Sequence, residues 1–168
     1  MSMSRGYETK EERKRRIKET FEKFDEDKSG TIEVNELVNG LSSLFNVDTL
    51  PAPETYKKFF VTIFNICDKG GMFRRKDQKL ELDEFERIAD AMPLQISRNV
   101  KSDMAKMLFN IIDKDKSGSI SKKEVAKFLK YSDFAQKSVE QFIADLDKNG
   151  DGEIDFVEFL LWFEKLED

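Results

Sequence analysis

Residues 147–158 read DKNGDGEIDFVE. Oxygen-bearing side chains fall at positions 1, 3, 5, 9 and 12 of this stretch: Asp147, Asn149, Asp151, Asp155 and Glu158. Gly152 at position 6 permits a sharp turn. Glu153 at position 7 offers its backbone carbonyl, and Ile154 at position 8 is apolar. Upstream, Val139, Phe142, Ile143 and Leu146 keep a helical apolar period. Downstream, Phe156, Val157, Phe159, Leu160, Trp162 and Phe163 are apolar on nearly every side. The stretch is therefore a polar loop between two helices.

The same arrangement recurs twice. Residues 113–124 read DKDKSGSISKKE, with Asp113, Asp115, Ser117, Ser119 (carbonyl), Ser121 and Glu124 at positions 1, 3, 5, 7, 9 and 12. Residues 25–36 read DEDKSGTIEVNE, with Asp25, Asp27, Ser29, Thr31 (carbonyl), Glu33 and Glu36 at those positions. Ile17, Phe21 and Phe24 precede this first loop, and Val34, Leu37, Val38, Leu41 and Leu44 follow it. A capping box of Thr9 and Glu12 is expected to start the first helix.

Hard oxygens at this spacing suit a calcium ion, which takes roughly six to eight oxygen ligands, with the last Glu binding through both oxygens. Ser121 is expected to act through a bridging water. A plain acidic turn that caps a helix needs no Glu at a fixed distance. The three loops resemble those of the EF-hand superfamily, and a four-hand layout covers essentially the whole chain. The resemblance implies an all-α fold of two paired lobes, each with a short two-stranded pairing of its loops, packed compactly. It also implies three calcium sites, with magnesium as the expected competitor.

The remaining segment departs from the pattern. Read from Asp68, positions 3 and 5 are Gly70 and Met72; read back from Glu84, positions 1 and 3 are Phe73 and Arg75. Neither register supplies the ligands. The insertion between Asp68 and Leu80 is rich in Lys and Arg, and a basic contact to a partner or phosphate is its alternative role. We expect a structural hand in which Leu80 pairs with Ile32. Ile120 should pair with Ile154.

The three complete loops differ in charge. Loops one and four each hold five acids against one lysine, whereas loop three holds three acids against four lysines. Attraction to a divalent cation is weakest there, so loop four should fill before loop three.

Pro93 should end the fourth helix, which divides the chain into residues 1–92 (hand one complete, hand two degenerate) and 93–168 (hands three and four complete). The run Arg13-Lys14-Arg15-Arg16, beside Glu11, Glu12 and Glu19, reads as a solvated helix face. Cys67, the single cysteine, reads as a buried small hydrophobe, which suits a reducing, cytoplasmic setting. Met1-Ser-Met-Ser lacks a hydrophobic signal core, and no apolar run reaches membrane-spanning length. A net charge of −5 disfavours nucleic acid as a partner. The absence of histidine removes the commonest general base, and no enzyme activity is expected.

The 168-residue chain carries 15 Phe against 6 Met. A Phe-dominated interior suits a closed molecule, whereas flexible Met-lined surfaces mark promiscuous sensors. The leading reading is a monomeric cytosolic calcium buffer or signal-modulating protein, similar to the sarcoplasmic calcium-binding protein and calerythrin group. The alternative is a calmodulin-like sensor that captures an amphipathic target helix, and a small apolar ligand is a further candidate partner. Calcium-triggered photoproteins also carry three working hands, but they rely on pocket histidines that this chain lacks.

Overall fold

Why the described residues break into eight α-helices is visible at their ends. The computed structural model describes residues 7–68, 77–134 and 136–167. Helix α1 (Lys10–Phe24) starts at the expected Thr9–Glu12 capping box and buries Ile17, Phe21 and Phe24. It leads through β1 (Ile32–Glu33) into α2 (Val34–Phe45), which stops where Asn46 takes a left-handed conformation. Helix α3 (Pro53–Cys67) opens with a proline whose missing N–H costs nothing in the first turn. Strand β2 (Lys79–Leu80) and α4 (Leu82–Ala91) complete the second hand, and α4 ends before Pro93 as expected. Helices α5 (Val100–Ile112) and α6 (Lys122–Tyr131) flank β3 (Ser119–Ile120); α7 (Val139–Leu146) and α8 (Phe156–Glu164) flank β4 (Ile154–Asp155). No described helix is long and apolar enough to cross a membrane.

The loops pair as antiparallel two-residue ribbons. Ile32 faces Leu80 and Ile120 faces Ile154, as the apolar eighth positions require. Hand one is thereby paired with hand two, and hand three with hand four. Gly70, Met72, Phe73 and Arg75, which rob the second loop of ligands, lie outside the described residues. The end of that loop is described. Gln78 holds φ +61, at the position where the other hands have glycine, so the turn survives without its usual residue.

One hydrophobic core runs through both hand pairs. In the first, Phe85 meets Phe21 and Phe24 edge-on at 5.6 and 5.4 Å. The second is centred on Trp162, which meets Phe142 and Phe159 at 5.2 and 5.4 Å. A seam of rings from α3 joins the two: Phe59 lies 5.3 Å from Phe163, 5.9 Å from Phe134 and 6.1 Å from Trp162, and Tyr56 lies 5.9 Å from Phe163. Cys67 is fully buried, as expected.

The basic run of α1 is only partly a solvated face. Arg13 binds Asp90 at 2.5 Å and Glu86 at 3.3 Å; Arg16 binds Glu8 at 2.7 Å, Asp90 at 3.3 Å and the Ala89 carbonyl at 3.2 Å. Burial alone would raise the Asp90 carboxyl, but the two guanidiniums outweigh it and hold the group below its ordinary value. Lys14 and Arg15 are exposed, so the two ends of the run tie α1 to α4 while its middle faces water. Sequence-local charge balance could not show this, because the partners on α4 are more than seventy residues away.

Phe59 is 4 % exposed and faces three rings from two other segments, whereas Val61 on the same helix is 37 % exposed. Phe59→Ala should cost about 3–5 kcal/mol of unfolding free energy in urea, and Val61→Ala about 0.5 kcal/mol or less.

Candidate metal centres

Each complete loop begins on the last turn of a helix. The backbone N–H groups of Asp25, Asp113 and Asp147 still donate to the carbonyls of Phe21, Phe109 and Ile143, at 2.9, 2.8 and 2.7 Å. Their carboxylates therefore project from a fixed helix end into the loop. There they collect the loop's own N–H groups: Asp25 accepts from Ser29 at 3.0 Å and Gly30 at 2.9 Å, and Asp113 from Ser117 at 3.1 Å and Gly118 at 2.9 Å. Asp147 accepts from Gly150 at 2.7 Å and Gly152 at 2.9 Å. These bonds need left-handed backbone at positions 4 and 6. Gly150 and Gly152 reach it freely, whereas Lys28 and Lys116 hold φ +58 and +57 at position 4 as strained exceptions.

The closing glutamates tie the far end back to the near end. Glu36 accepts from the N–H of Asp27 at 3.2 Å through one oxygen and of Glu33 at 2.9 Å through the other. Glu124 does so with Lys114 at 2.9 Å and Ser121 at 2.9 Å. Glu158 accepts from Lys148 at 2.8 Å, Asn149 at 3.2 Å and Asp155 at 3.1 Å. Positions 9 and 12 are thus also the cap and third residue of the following helix, an economy of spacing that the ligand pattern alone did not reveal. In the second hand Glu84 accepts from the Glu81 N–H at 3.0 Å, so this clasp persists where the ligands are lost.

Positions 5 and 7 also meet. The Ser29 hydroxyl donates to the Thr31 carbonyl at 3.0 Å, and Ser117 to the Ser119 carbonyl at 2.9 Å. Position 9 of loop one is shared: the Glu33 carboxylate lies 3.8 Å from Lys79 across the β1–β2 ribbon. The Glu153 side chain hydrogen-bonds to the Ser119 hydroxyl, linking loops four and three.

Two carboxylate triads draw close enough to share one cation: Asp25, Asp27 and Glu36, and Asp113, Asp115 and Glu124, each with ligand oxygens within 4.8 Å of one another. Asp147, Asp151 and Glu158 form no such triad among the described residues. The physical reason is local. Asn149 stands where the other loops have Asp, and the Asp151 carboxylate is turned to the Glu153 N–H at 2.9 Å.

The donor chemistry fits a hard divalent cation. Asp25, Glu36, Asp113 and Glu158 are buried, yet none of them has a Lys or Arg partner among the described residues. A buried carboxylate without a counter-charge is costly, and a bound cation is the remedy that an all-oxygen cage allows. The Ser29 hydroxyl and N–H hold the Asp27 carboxyl below its ordinary value, and Ser117 does the same for Asp115, so both stay ionised for a cation.

Comparison with known proteins agrees with this geometry. Residues 101–164 match the family described as EF-hand domain pair, and residues 16–44 match EF hand domain. The chain is 31 % identical over 151 residues to "Probable calcium-binding protein CML13" of Oryza sativa subsp. japonica, covering 89 % of this chain and 80 % of the relative. It is 31 % identical over 148 residues to the 16 kDa calcium-binding protein of Schistosoma mansoni, covering 86 % of this chain and 90 % of the relative. It is also 30 % identical over 156 residues to calcium-dependent protein kinase 4 of Plasmodium falciparum (isolate 3D7), but there it spans only 27 % of the relative. The chain belongs to the EF-hand superfamily of calcium-binding proteins, of the calmodulin-like type.

Proposed function

We propose that the chain binds three calcium ions, through loops one, three and four, and serves as a calcium buffer or signal-modulating protein whose two lobes, residues 1–92 and 93–168, remain packed on each other. It is a binding protein and not an enzyme. The ligands are the oxygens of positions 1, 3, 5, 7, 9 and 12 in each loop, with Ser121 acting through water and magnesium as the competing ion. Hand two takes no ion and holds loop one in register through the ribbon of Ile32 and Leu80.

The observation that carries the buffer reading is the aromatic seam. Tyr56 of the first lobe packs against Phe163 of the second, and Phe59 against Phe163 and Trp162, in tilted and edge-on pairs. Apolar faces that a sensor would keep for a target helix here cover each other. A sensor reading has one observation in its favour. Val157 and Leu161, one turn apart on α8, are 64 % and 48 % exposed. Apolar-dye fluorescence tests the choice: no rise on adding calcium supports the buffer, and a large calcium-dependent rise supports the sensor.

Two further outcomes are expected. Glu158→Gln should strip loop four of most of its calcium affinity in a calorimetric titration. The same substitution puts an amide NH2 where the carboxylate accepted backbone N–H groups, so it should also lower stability in chelator by about 1–3 kcal/mol. Calcium should raise the melting temperature of the intact chain well above its value in chelator, since an ion that binds only the folded state adds about 2.7 kcal/mol per site at a hundredfold excess over its dissociation constant. A melting temperature unmoved by chelator would count against all three sites.

A further inference from the structure

A cavity of about 490 Å³ opens between the lobes beside loop three. Its floor is apolar: Ile66 from α3, Ile112 from α5 and Phe128 from α6 are all buried. Its rim is basic, with Arg87 from α4, Lys114 from loop three, and Lys123 and Lys127 from α6. Among the described residues the acids on it are Asp115 and Glu124, both assigned above to the loop-three ion.

These four cations outnumber the two acids that share the cavity among the described residues. Among the described residues none of the three lysines makes an ion pair, and Arg87 bonds only to the Ile111 carbonyl at the end of α5. Burial, and then the positive charges of Lys114 and Arg87, hold the Lys127 ammonium below its ordinary value. Four like charges gathered from two lobes repel one another, and an arrangement of this kind is relieved by an anion. The guanidinium offers a forked donor, the lysines offer point charges, and the floor offers a dry surface to a short hydrocarbon tail. The volume is of the order of small-molecule sites.

We propose that this cavity binds a small amphiphilic anion, a sulfate, phosphate or carboxylate head on a short apolar tail, and that the anion and the loop-three calcium ion tighten each other's binding. The coupling rests on loop three binding calcium, as proposed above. Without the ion, Asp115 and Glu124 repel an anionic head; with it, their charge is neutralised and the rim is basic alone. By linkage, an anion that prefers the loaded loop must raise its calcium affinity by the same factor. This also gives Lys114 and Lys123, two of the four lysines of loop three, a purpose. They weaken the empty site, and a bound anion offsets them.

The test is calorimetric titration of the whole chain with octyl sulfate below its micelle concentration, in saturating calcium and in chelator. Inorganic sulfate and octyltrimethylammonium serve as comparators. One octyl sulfate should bind per chain in calcium, at least about fivefold more weakly in chelator, the low end of ordinary coupling between sites. Both comparators should bind far more weakly. Lys127→Gln, and Arg87→Gln with Lys127→Gln, should each weaken octyl sulfate progressively while three calcium ions still bind. Equal binding of inorganic sulfate or of the cationic amphiphile, or affinity indifferent to both substitutions, overturns the proposed site. A calcium titration without octyl sulfate, compared with Asp113→Ala, checks loop three separately. If loop three takes up no calcium while octyl sulfate still binds and is lost on substitution, the coupling and the loop-three reading fall and the cavity stands. If loop three does bind calcium but octyl sulfate binds equally with and without it, the coupling alone falls.

Discussion

A carboxylate at the start of each following helix does two jobs, and the rest of the structure depends on their compatibility. Glu36, Glu124 and Glu158 bind the N–H groups at both ends of their loops, which closes each loop on itself. The same oxygens are the ones a calcium ion needs at position 12. A capping box spans three residues and the last two side-chain ligands of the loop are also three apart, so one spacing satisfies helix and metal together. The chain's own N–H groups therefore help to shape each loop. The cost is negative charge gathered at buried helix ends, and that charge is what makes a divalent cation the natural partner.

Hand two separates the two jobs. It keeps the Glu81–Glu84 clasp, the left-handed turn at Gln78 and the ribbon contact of Leu80 with Ile32. It lacks the ligands at the head of the loop. Helix α3 instead carries the aromatic side chains that join the lobes. This first helix of the hand is the structural bridge, with Phe59 packed against the second lobe and Phe60 stacked 6.1 Å from Phe45 in the first. On the three-site proposal, that hand contributes packing where the other three contribute ligands.

Loop three is the electrostatic exception, and its surroundings rationalise its lysines better than its own sequence does. Lys114, Lys123 and Lys127 share a rim with Arg87, which arrives from the other lobe. Ligand charge within a loop is therefore an incomplete guide to cation affinity. The field at Asp115 and Glu124 also includes charges from α4 and α6.

By itself the sequence determined what repeats within a dozen residues: the bounds of the three acidic loops, the periods of the flanking helices, the Thr9–Glu12 cap, the stop before Pro93 and the apolar eighth positions that pair in ribbons. These rest on contacts between near neighbours, for which spacing is a sufficient record. Only the tertiary structure decided what depends on distant partners. It placed Arg13 and Arg16 on Asp90, Phe59 against Phe163, and Arg87 beside loop three. It also gave Gly40 its reason, since a β-carbon there would sit 2.4 Å from the Phe24 ring. The Asp151 carboxylate, turned to its own backbone, is a choice that no ligand count contains. Such contacts leave no periodic trace, because which helix faces meet is settled by how the two lobes fill one core.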